Sequence, residues 1–314
     1  MTRSRWLALP ILCAGFLLTE AASAGEPGAQ PTEAQPAQGA EVSGQAGVQK
    51  QAAAEEPAAS ESQDQAMAVL KRMAEFLVQT KQFSVNLRIG YDVVQESGEK
   101  VEFGERRTIT LQRPDRLRVE AEDSDGDKAL LVFDGKDITA YKETEQVYAV
   151  TPKPGDIDGA LQYLIRDLAI RMPLALMLTS QLPAAIERRV QSADYVERCT
   201  VTPVPTDHVV ASTADVNFQF WIAEGDKPLP QRVLITYKTA EGEPQFWANF
   251  SDWNLNPNVS ESLFAFTPPQ GVERIPFLAR VQEGMATLPS PGAEASPPAK
   301  ETPQPTGSTG GEQQ

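Results

Sequence analysis

Chemistry near neutral pH calls first on histidine and cysteine, and this chain has one histidine and two cysteines. His208 stands beside Pro205 and Asp207 in a turn-like stretch, where a surface-loop role is expected. Cys13 lies in an N-terminal apolar run, so Cys199 is the one thiol expected in the mature chain. One histidine and one thiol cannot supply the usual zinc ligand sets. No glycine-rich phosphate loop, G-x-S-x-G elbow or S-x-x-K motif occurs. A serine triad built on His208 would need a distant partner that no spacing supplies. No catalytic residue, metal or cofactor is therefore assigned.

Carboxylates are plentiful, 43 against 28 lysines and arginines, so counting alone leaves room for a glycosidase-type acid pair. The densest group is Glu120, Glu122, Asp123, Asp125 and Asp127, around a hairpin turn where charge is normally solvated. Asp123 to Gly126 has the Asp-x-Asp-Gly form of part of a calcium loop. Aligning Gly126 with the glycine of that loop puts Ala121 and Val132 at the first and last ligand positions, and neither can coordinate.

With chemistry sparse, the elements carry the reading. Arg106 to Val150 reads as four or five short strands, an antiparallel meander. Asp134-Gly135 is expected to form a two-residue type I′ turn, and Arg113-Pro114-Asp115 to break the ladder, because proline has no N–H to donate. Upstream, Ser62 and Gln65 form a capping box for a helix whose stripe is Val69, Leu70, Met73, Phe76 and Leu77. The period then changes to two: Phe83, Val85, Leu87, Ile89, Tyr91 and Val93 alternate with mostly polar residues. Val101, Phe103, Ile109 and Leu111 make the antiparallel partner, and Leu117 and Val119 continue the pattern.

Asp156 to Leu182 interrupts the strands. Leu161, Leu164, Ile165, Leu168 and Met172 fit an amphipathic helix that Pro173 kinks; Leu174, Leu176, Met177 and Leu178 make a second, closed by Pro183. Strands resume with Val216, Phe218, Phe220 and Ile222, and the domain closes near Phe277. The fold class expected is α+β: a strongly curved antiparallel sheet, a half-barrel of about ten strands, with helices packed on its concave side.

The chain ends differ in character. Arg3 and Arg5, the apolar Leu7 to Leu18 and Ala22-Ser23-Ala24 are expected to form a signal peptide (1–24), cleaved after Ala24. The apolar run is short of the ~20 residues a spanning helix needs, so no integral membrane protein is expected. Leu12 occupies the place before Cys13 where a lipobox takes a small residue, which argues against lipidation. Residues 25–61 and 281–314 are Ala/Gln/Pro/Glu- and Pro/Ser/Gly-rich, compositions expected to be disordered; 62–280 forms the domain. The net charge is −15; removing Arg3, Arg5 and Glu20, a net +1, leaves −16. That charge argues against nucleic acid as a partner and against docking on anionic lipid by a basic patch. A lone Cys199 forms no intrachain disulfide and is expected to be a buried small hydrophobe, with intermolecular pairing or redox sensing as alternatives. A monomer is expected.

A curved sheet with an apolar inner face beneath an apolar insertion could enclose a pocket for a greasy ligand. The same residues could equally fill an ordinary core. An empty void of ~300 Å³ would cost several kcal/mol at ~24 cal/mol per Å³, whereas each buried acyl methylene returns ~0.8 kcal/mol. The lining expected is Leu161, Leu164, Ile165, Leu168, Met172, Leu176 and Met177 from the insertion. From the strands it is Val85, Leu87, Ile109, Leu111, Leu117, Val119, Phe218 and Phe220.

The order of Arg113-Pro114-Asp115-Arg116-Leu117-Arg118, Phe133-Asp134-Gly135-Lys136 and Tyr141 resembles the sheet signature of the LolA/LolB-like outer-membrane lipoprotein carriers. The resemblance continues at Pro228-Leu229-Pro230, Arg232, Trp253, Asn256-Pro257, Phe264-Ala265-Phe266 and Pro268-Pro269. In detail the chain is more similar to a domain-of-unknown-function family of predicted periplasmic bacterial proteins with this fold. The resemblance implies periplasmic localisation, a lipid or lipoprotein acyl chain held in the concavity, and the insertion as its lid. The carriers latch lid to sheet through an arginine, a role for which Arg166 and Arg171 are the candidates. Related domains act as envelope-stress sensors, so an envelope protein-interaction or signalling module with a filled core is the alternative. An acylated protein or an envelope protein is the partner expected.

Overall fold

The computed structural model describes residues 52–277, with side chains from Ser60 onward. The signal peptide, its cleavage point at Ala24 and most of both flanking segments lie outside the described residues. The first helix, α1 (Ala52–Gln79), leads into the paired long strands β1 (Gln82–Val94) and β2 (Lys100–Gln112). A meander follows: β3 (Arg116–Asp123), β4 (Lys128–Phe133), β5 (Asp137–Lys142) and β6 (Val147–Pro152). The insertion carries α2 (Ile157–Gln162), a π turn (Tyr163–Asp167), α3 (Ala175–Leu178) and α4 (Leu182–Arg189). The second half is β7 (Ser192–Cys199), β8 (Thr206–Ser212), β9 (Val216–Ala223), β10 (Pro230–Tyr237) and β11 (Gln245–Asn254), ending in β12 (Glu273–Arg274).

These strands form one curved, unclosed sheet in the order β12-β6-β5-β4-β3-β2-β1-β11-β10-β9-β8-β7. All neighbours are antiparallel except β12 on β6. The fold is the α+β arrangement expected, with twelve strands among the described residues rather than about ten. β12 has two residues, too few for a pattern, and β7 is a bulged edge strand that buries only Ala193 and Cys199. His208, expected in a surface loop, lies within β8.

Alternation decides the two faces. Phe83, Val85, Leu87, Ile89 and Tyr91 of β1 are buried toward the helices, and Ser84, Asn86 and Arg88 point to the opposite, outer face. Register carries this phase across the sheet: Phe83 pairs with Leu111, Leu111 with Leu117, Leu117 with Phe133 and Phe133 with Ile138. That row is at most 1 % exposed, so it forms the floor of the core. Helix α1 lays Ala66, Leu70, Met73, Ala74 and Leu77 on this face, all nearly fully buried.

Several local expectations need correction. Helix α1 begins ten residues before Ser62, so Ser62 is no cap. Its Oγ instead accepts from the Tyr195 N–H (3.0 Å) and donates to the Tyr195 carbonyl (3.4 Å), satisfying backbone groups of the edge strand β7. Asp134-Gly135 does not form a type I′ turn. Only Gly135 has positive φ (86°), and Asp134 and Asp137 close the turn around Gly135-Lys136. The Asp134 carboxylate accepts from the N–H groups of Lys136 and Asp137, an Asx device that competes with the two-residue geometry. Pro183 does not close a helix but opens one, at the start of α4, where its missing N–H costs nothing.

The outer face is dressed in two ways. After β11 the chain crosses the outer side of the meander, where Arg118 Nη1 donates to the Leu263 carbonyl (3.1 Å) and Phe266 packs on Tyr141 and Tyr148. Phe264 and Val132 are buried there. On the other half runs a ladder. His208 stacks on Trp221 (4.1 Å), the Arg232 guanidinium lies 5.4 and 5.6 Å from the Trp221 and Trp247 rings, and Trp247 Nε1 donates to Glu102. Gly90 makes room for Trp247, because a Cβ there would sit 2.4 Å from the indole. Gly90→Ala is therefore expected to displace Trp247 and destabilise the fold by about 1–3 kcal/mol. A lowered urea midpoint with an altered near-UV tryptophan signal checks this; an unchanged midpoint contradicts it.

Candidate functional site

The expected site residues meet on the inner face. Leu161, Leu164, Leu168 and Met177 of the insertion join Val85, Leu87, Ile109, Leu111, Leu117, Val119 and Phe220 in one buried cluster. Ile165, Met172, Leu176 and Phe218 are half-buried against it. Leu161, Leu164 and Leu168 are 1–3 % exposed. A hollow wide enough for water would show as exposed surface on its walls, so these side chains line none. The room expected beneath the insertion is occupied by the insertion itself, which sits as a plug.

The plug is only partly regular. Asp156 caps α2 by accepting from the Gly159 N–H (2.8 Å). The expected first helix then stops early, in a π turn where the Leu168 N–H reaches back to the Tyr163 carbonyl. Residues 168–174 have no regular structure, and Ala169 (φ 52°) and Leu174 (φ 66°) adopt left-handed backbone conformations. For residues with a Cβ that conformation costs about 1–2 kcal/mol each. Met172 therefore lies beyond the helix it was assigned to. The ends of the plug are tied together: the Asp158 carboxylate accepts from the Ser180 N–H (3.0 Å) and from its hydroxyl.

The latch expectation also shifts. Arg166 is exposed, and no bond from Arg166 or Arg171 to the sheet is present among the described residues. Arg113 lies between the sheet, the end of α1 and the start of the insertion, where the Ile157 N–H donates to the Pro114 carbonyl. It donates to the carbonyls of Thr80 (3.3 Å) and Leu77 (3.4 Å) at the end of α1. Burial pushes its pKa down, and the Asp158 carboxylate opposes that shift. Arg113 opens the same Arg-Pro-Asp motif that the sequence singled out.

Sequence reasoning missed a charged row on the inner face. Register places Glu105 beside Ile89 and Arg107 beside Leu87, in phase with Ile109 and Leu111. The Arg107 guanidinium donates to both Glu105 oxygens (2.7 and 2.9 Å), and both side chains are at most 10 % exposed. Next along the row come Asp123, paired with Glu105 across β2–β3, and the Lys142–Asp127 ion pair (2.6 Å). Lys142 and Thr144 hold the Asp127 carboxyl below its ordinary value although burial alone would raise it. Asp123 goes the other way: burial, then the charge of Glu105, push its carboxyl up to about 6, with Lys142 opposing and Asp127 and Asp125 adding. The signal was present in the strand phase: positions 105 and 107 fall on the apolar face of β2. Glu120, by contrast, points outward and is solvated as expected.

Among the described residues no group of His, Cys, Asp or Glu side chains could hold a metal ion, and no helix is long and apolar enough to cross a membrane. Cys199 is buried. A shallow recess of about 1170 Å³ on the outer face is floored by outward side chains such as Asn86, Arg88, Arg106, Thr108 and Glu122. Much of its floor is internally paired: Arg106 with Glu122, Thr108 with Asn86, and Asn86 with Asp252.

Residues 66–278 match the family described as predicted periplasmic protein (DUF2092). No curated protein matches the chain. Among solved structures, the chain is similar to the Pseudomonas aeruginosa MucA/MucB complex (16 % identity, TM-score 0.36, 65 % of this chain and 61 % of that one). It is similar to the Mycobacterium tuberculosis lipoprotein LppX (12 % identity, TM-score 0.39, 63 % of this chain and 99 % of that one). A third likeness is to a LolA superfamily protein from Nitrosomonas europaea (10 % identity, TM-score 0.32, 64 % of this chain and 97 % of that one).

Asp123 yields a pH prediction. Its folded pKa lies above its unfolded one, so the folded state holds the proton more tightly. The associated stability is complete below about 3.8 and is lost as pH rises to about 6. Asp123→Asn, which mimics the protonated form, should match wild type at pH 4 and gain on it through that window, then hold a constant advantage above pH 7. Urea midpoints across pH 4–8 test this; parallel profiles refute it.

Proposed function

Because the chain belongs to the DUF2092 family of predicted periplasmic proteins, we propose that it is an exported periplasmic binding protein that shelters an apolar ligand on the inner face. The ligand is a lipid or lipoprotein acyl chain, and it takes the place of the protein's own lid. Export by the signal peptide ending at Ala24, with 25–61 and 281–314 as tails around the binding domain, belongs to the same proposal. No catalytic role is included in it.

One observation carries the reading: the part of the core that covers the meander is supplied by a clasped, partly irregular insertion with left-handed residues at Ala169 and Leu174. Its apolar residues Ile165, Met172, Leu174 and Leu176 are only half-buried, so the plug is less committed to the sheet than α1 is. Magnitudes allow an exchange. Withdrawing Leu161, Leu164, Leu168 and Met177, four of the insertion's buried side chains, forfeits about 1.5–3 kcal/mol each. An acyl chain of about fifteen methylenes returns ~0.8 kcal/mol per methylene. The two sums are of the same order, so an acyl chain offsets the withdrawal of those four side chains.

The filled core itself supports the second reading, an envelope protein-interaction module whose inner face never opens. Ligand binding separates the two. Protein purified from its own envelope should show lipid-mass adducts by native mass spectrometry, and the stripped protein should take up a fluorescent fatty acid. Leu164→Ala should lower stability by about 2–5 kcal/mol yet raise fatty-acid affinity, because the plug competes less well. Adduct-free protein that binds no fatty acid, in wild type and Leu164→Ala alike, leaves only the interaction module.

A further inference from the structure

Among the described residues the sheet has one parallel pair, and that pair aims the chain at the lid. Antiparallel neighbours run in opposite directions, whereas β12 runs alongside β6 in the same direction. The Glu273 N–H donates to the Gln146 carbonyl and the Ile275 N–H to the Tyr148 carbonyl, both at 2.9 Å. Strand β6 leads into Asp156 and the insertion, so β12 delivers the residues after it to that same end of the sheet. Two residues after Ile275, Phe277 is already half-buried against the inner-face core.

The lid there offers apolar surface without full cover. Tyr163, Ile165, Ile170, Met172, Leu174 and Leu176 pack on the core yet stay partly open to solvent. Tyr163 marks the side nearest β12, since its hydroxyl meets Thr151 of β6. The sequence beyond the described residues supplies a matching surface. Phe277, Val281, Met285 and Leu288 fall at i, i+4, i+8 and i+11, one stripe at helical spacing, with Leu278 beside it. Pro276 opens this stretch and Pro289 closes it, as proline does at helix boundaries. After Leu288 the chain has no further Val, Ile, Leu, Met or aromatic residue. As a helix, residues 277–288 measure about 18 Å, a match for residues 157–167 of α2 and the π turn.

We propose that residues 277–288 are an intrachain strap: anchored by β12, they lay Phe277, Val281, Met285 and Leu288 across the half-buried apolar surface of the lid and hold it down. Gly284 makes the stretch a weak helix on its own, so the docked face rather than propensity supports it. The strap sets residues 281–288 with the domain, and the tail begins at Pro289. Its role as a guard of the ligand site rests on the acyl-chain reading above; the docking itself does not.

The test uses the full mature chain in three forms: wild type, Val281→Asp on the stripe and Gln282→Asp beside it. The Leu168 and Ile170 N–H groups, bonded to the Tyr163 and Leu164 carbonyls, report lid opening by hydrogen exchange. Losing one buried aliphatic anchor shifts an opening equilibrium by about tenfold or more. Val281→Asp should speed exchange of these two amides by that factor and Gln282→Asp should not, while the β1 amides keep wild-type rates and show the fold intact. Equal lid exchange in wild type and Val281→Asp overturns the strap, as does equal acceleration by Gln282→Asp. The same three forms are then titrated with a fluorescent fatty acid. Tighter binding by Val281→Asp supports the guarding role, and equal affinity in all three overturns it. Binding by none of them, with lid exchange still accelerated in Val281→Asp, removes the acyl-chain reading and leaves the strap standing.

Discussion

The constraint on which this structure depends is the apolar inner face of a broad sheet that does not close on itself. A closed barrel would pack such a face against its own far side. An open sheet must find cover, and here only α1 is long enough to supply much of it. Helix α1 lies toward the β7 edge, contacting β7, β8, α3 and α4. The meander therefore depends on Ile157, Ala160, Leu161 and Leu164, drawn from a segment spliced between β6 and β7. That dependence explains why the most apolar stretch of the domain is also among its least regular.

Alternation made much of this architecture legible. The odd positions of β1 announce a buried face without ambiguity, and the meander turns are marked by glycine and aspartate. The sequence also contained the residues that fill the core, because an apolar stripe marks burial whether it surrounds a ligand or another side chain. What it could not separate was a pocket wall from a plug, since Leu161 and Leu164 have the same pattern in either case. Pro183 shows a similar ambiguity: proline ends one helix as readily as it begins another, and only the surrounding chain path decides. His208 read as a loop residue because its neighbours Pro205 and Asp207 are turn formers, although strand pairing with Trp221 and Glu197 overrides them.

The charged row shows where the fold departs from what stability alone would choose. A buried ion pair such as Arg107–Glu105 gives up the hydration of both ions, and apolar residues of similar volume often serve as well or better. Bidentate geometry recovers part of that loss, but Asp123 remains a half-buried carboxylate facing Glu105 and Asp127, which is why its proton is held so firmly. The outer ladder has the opposite balance. Trp221 lies between His208 and Arg232, and Trp247 between Arg232 and the Gly90 backbone, so aromatic and cationic groups are engaged with one another. That stack braces the β8-to-β2 half of the sheet, and the crossing chain around Phe264 and Phe266 braces the other.

Between these two braced outer halves, the inner face has one cover that is tied at a few points. The plug is clasped at Asp158–Ser180 and reaches the sheet through Tyr163, whose hydroxyl meets Thr151 (3.3 Å) while Lys153 lies over its ring. Arg113 sits under the clasp, already spending donors on the end of α1. Lifting the plug therefore breaks few directional bonds and relieves two left-handed residues, so its main cost is apolar surface. An apolar guest offsets a cost of that kind, whereas a polar partner docking on the outer face does not. The cover of the inner face is thus held mainly by apolar contact and only at a few points by directional bonds.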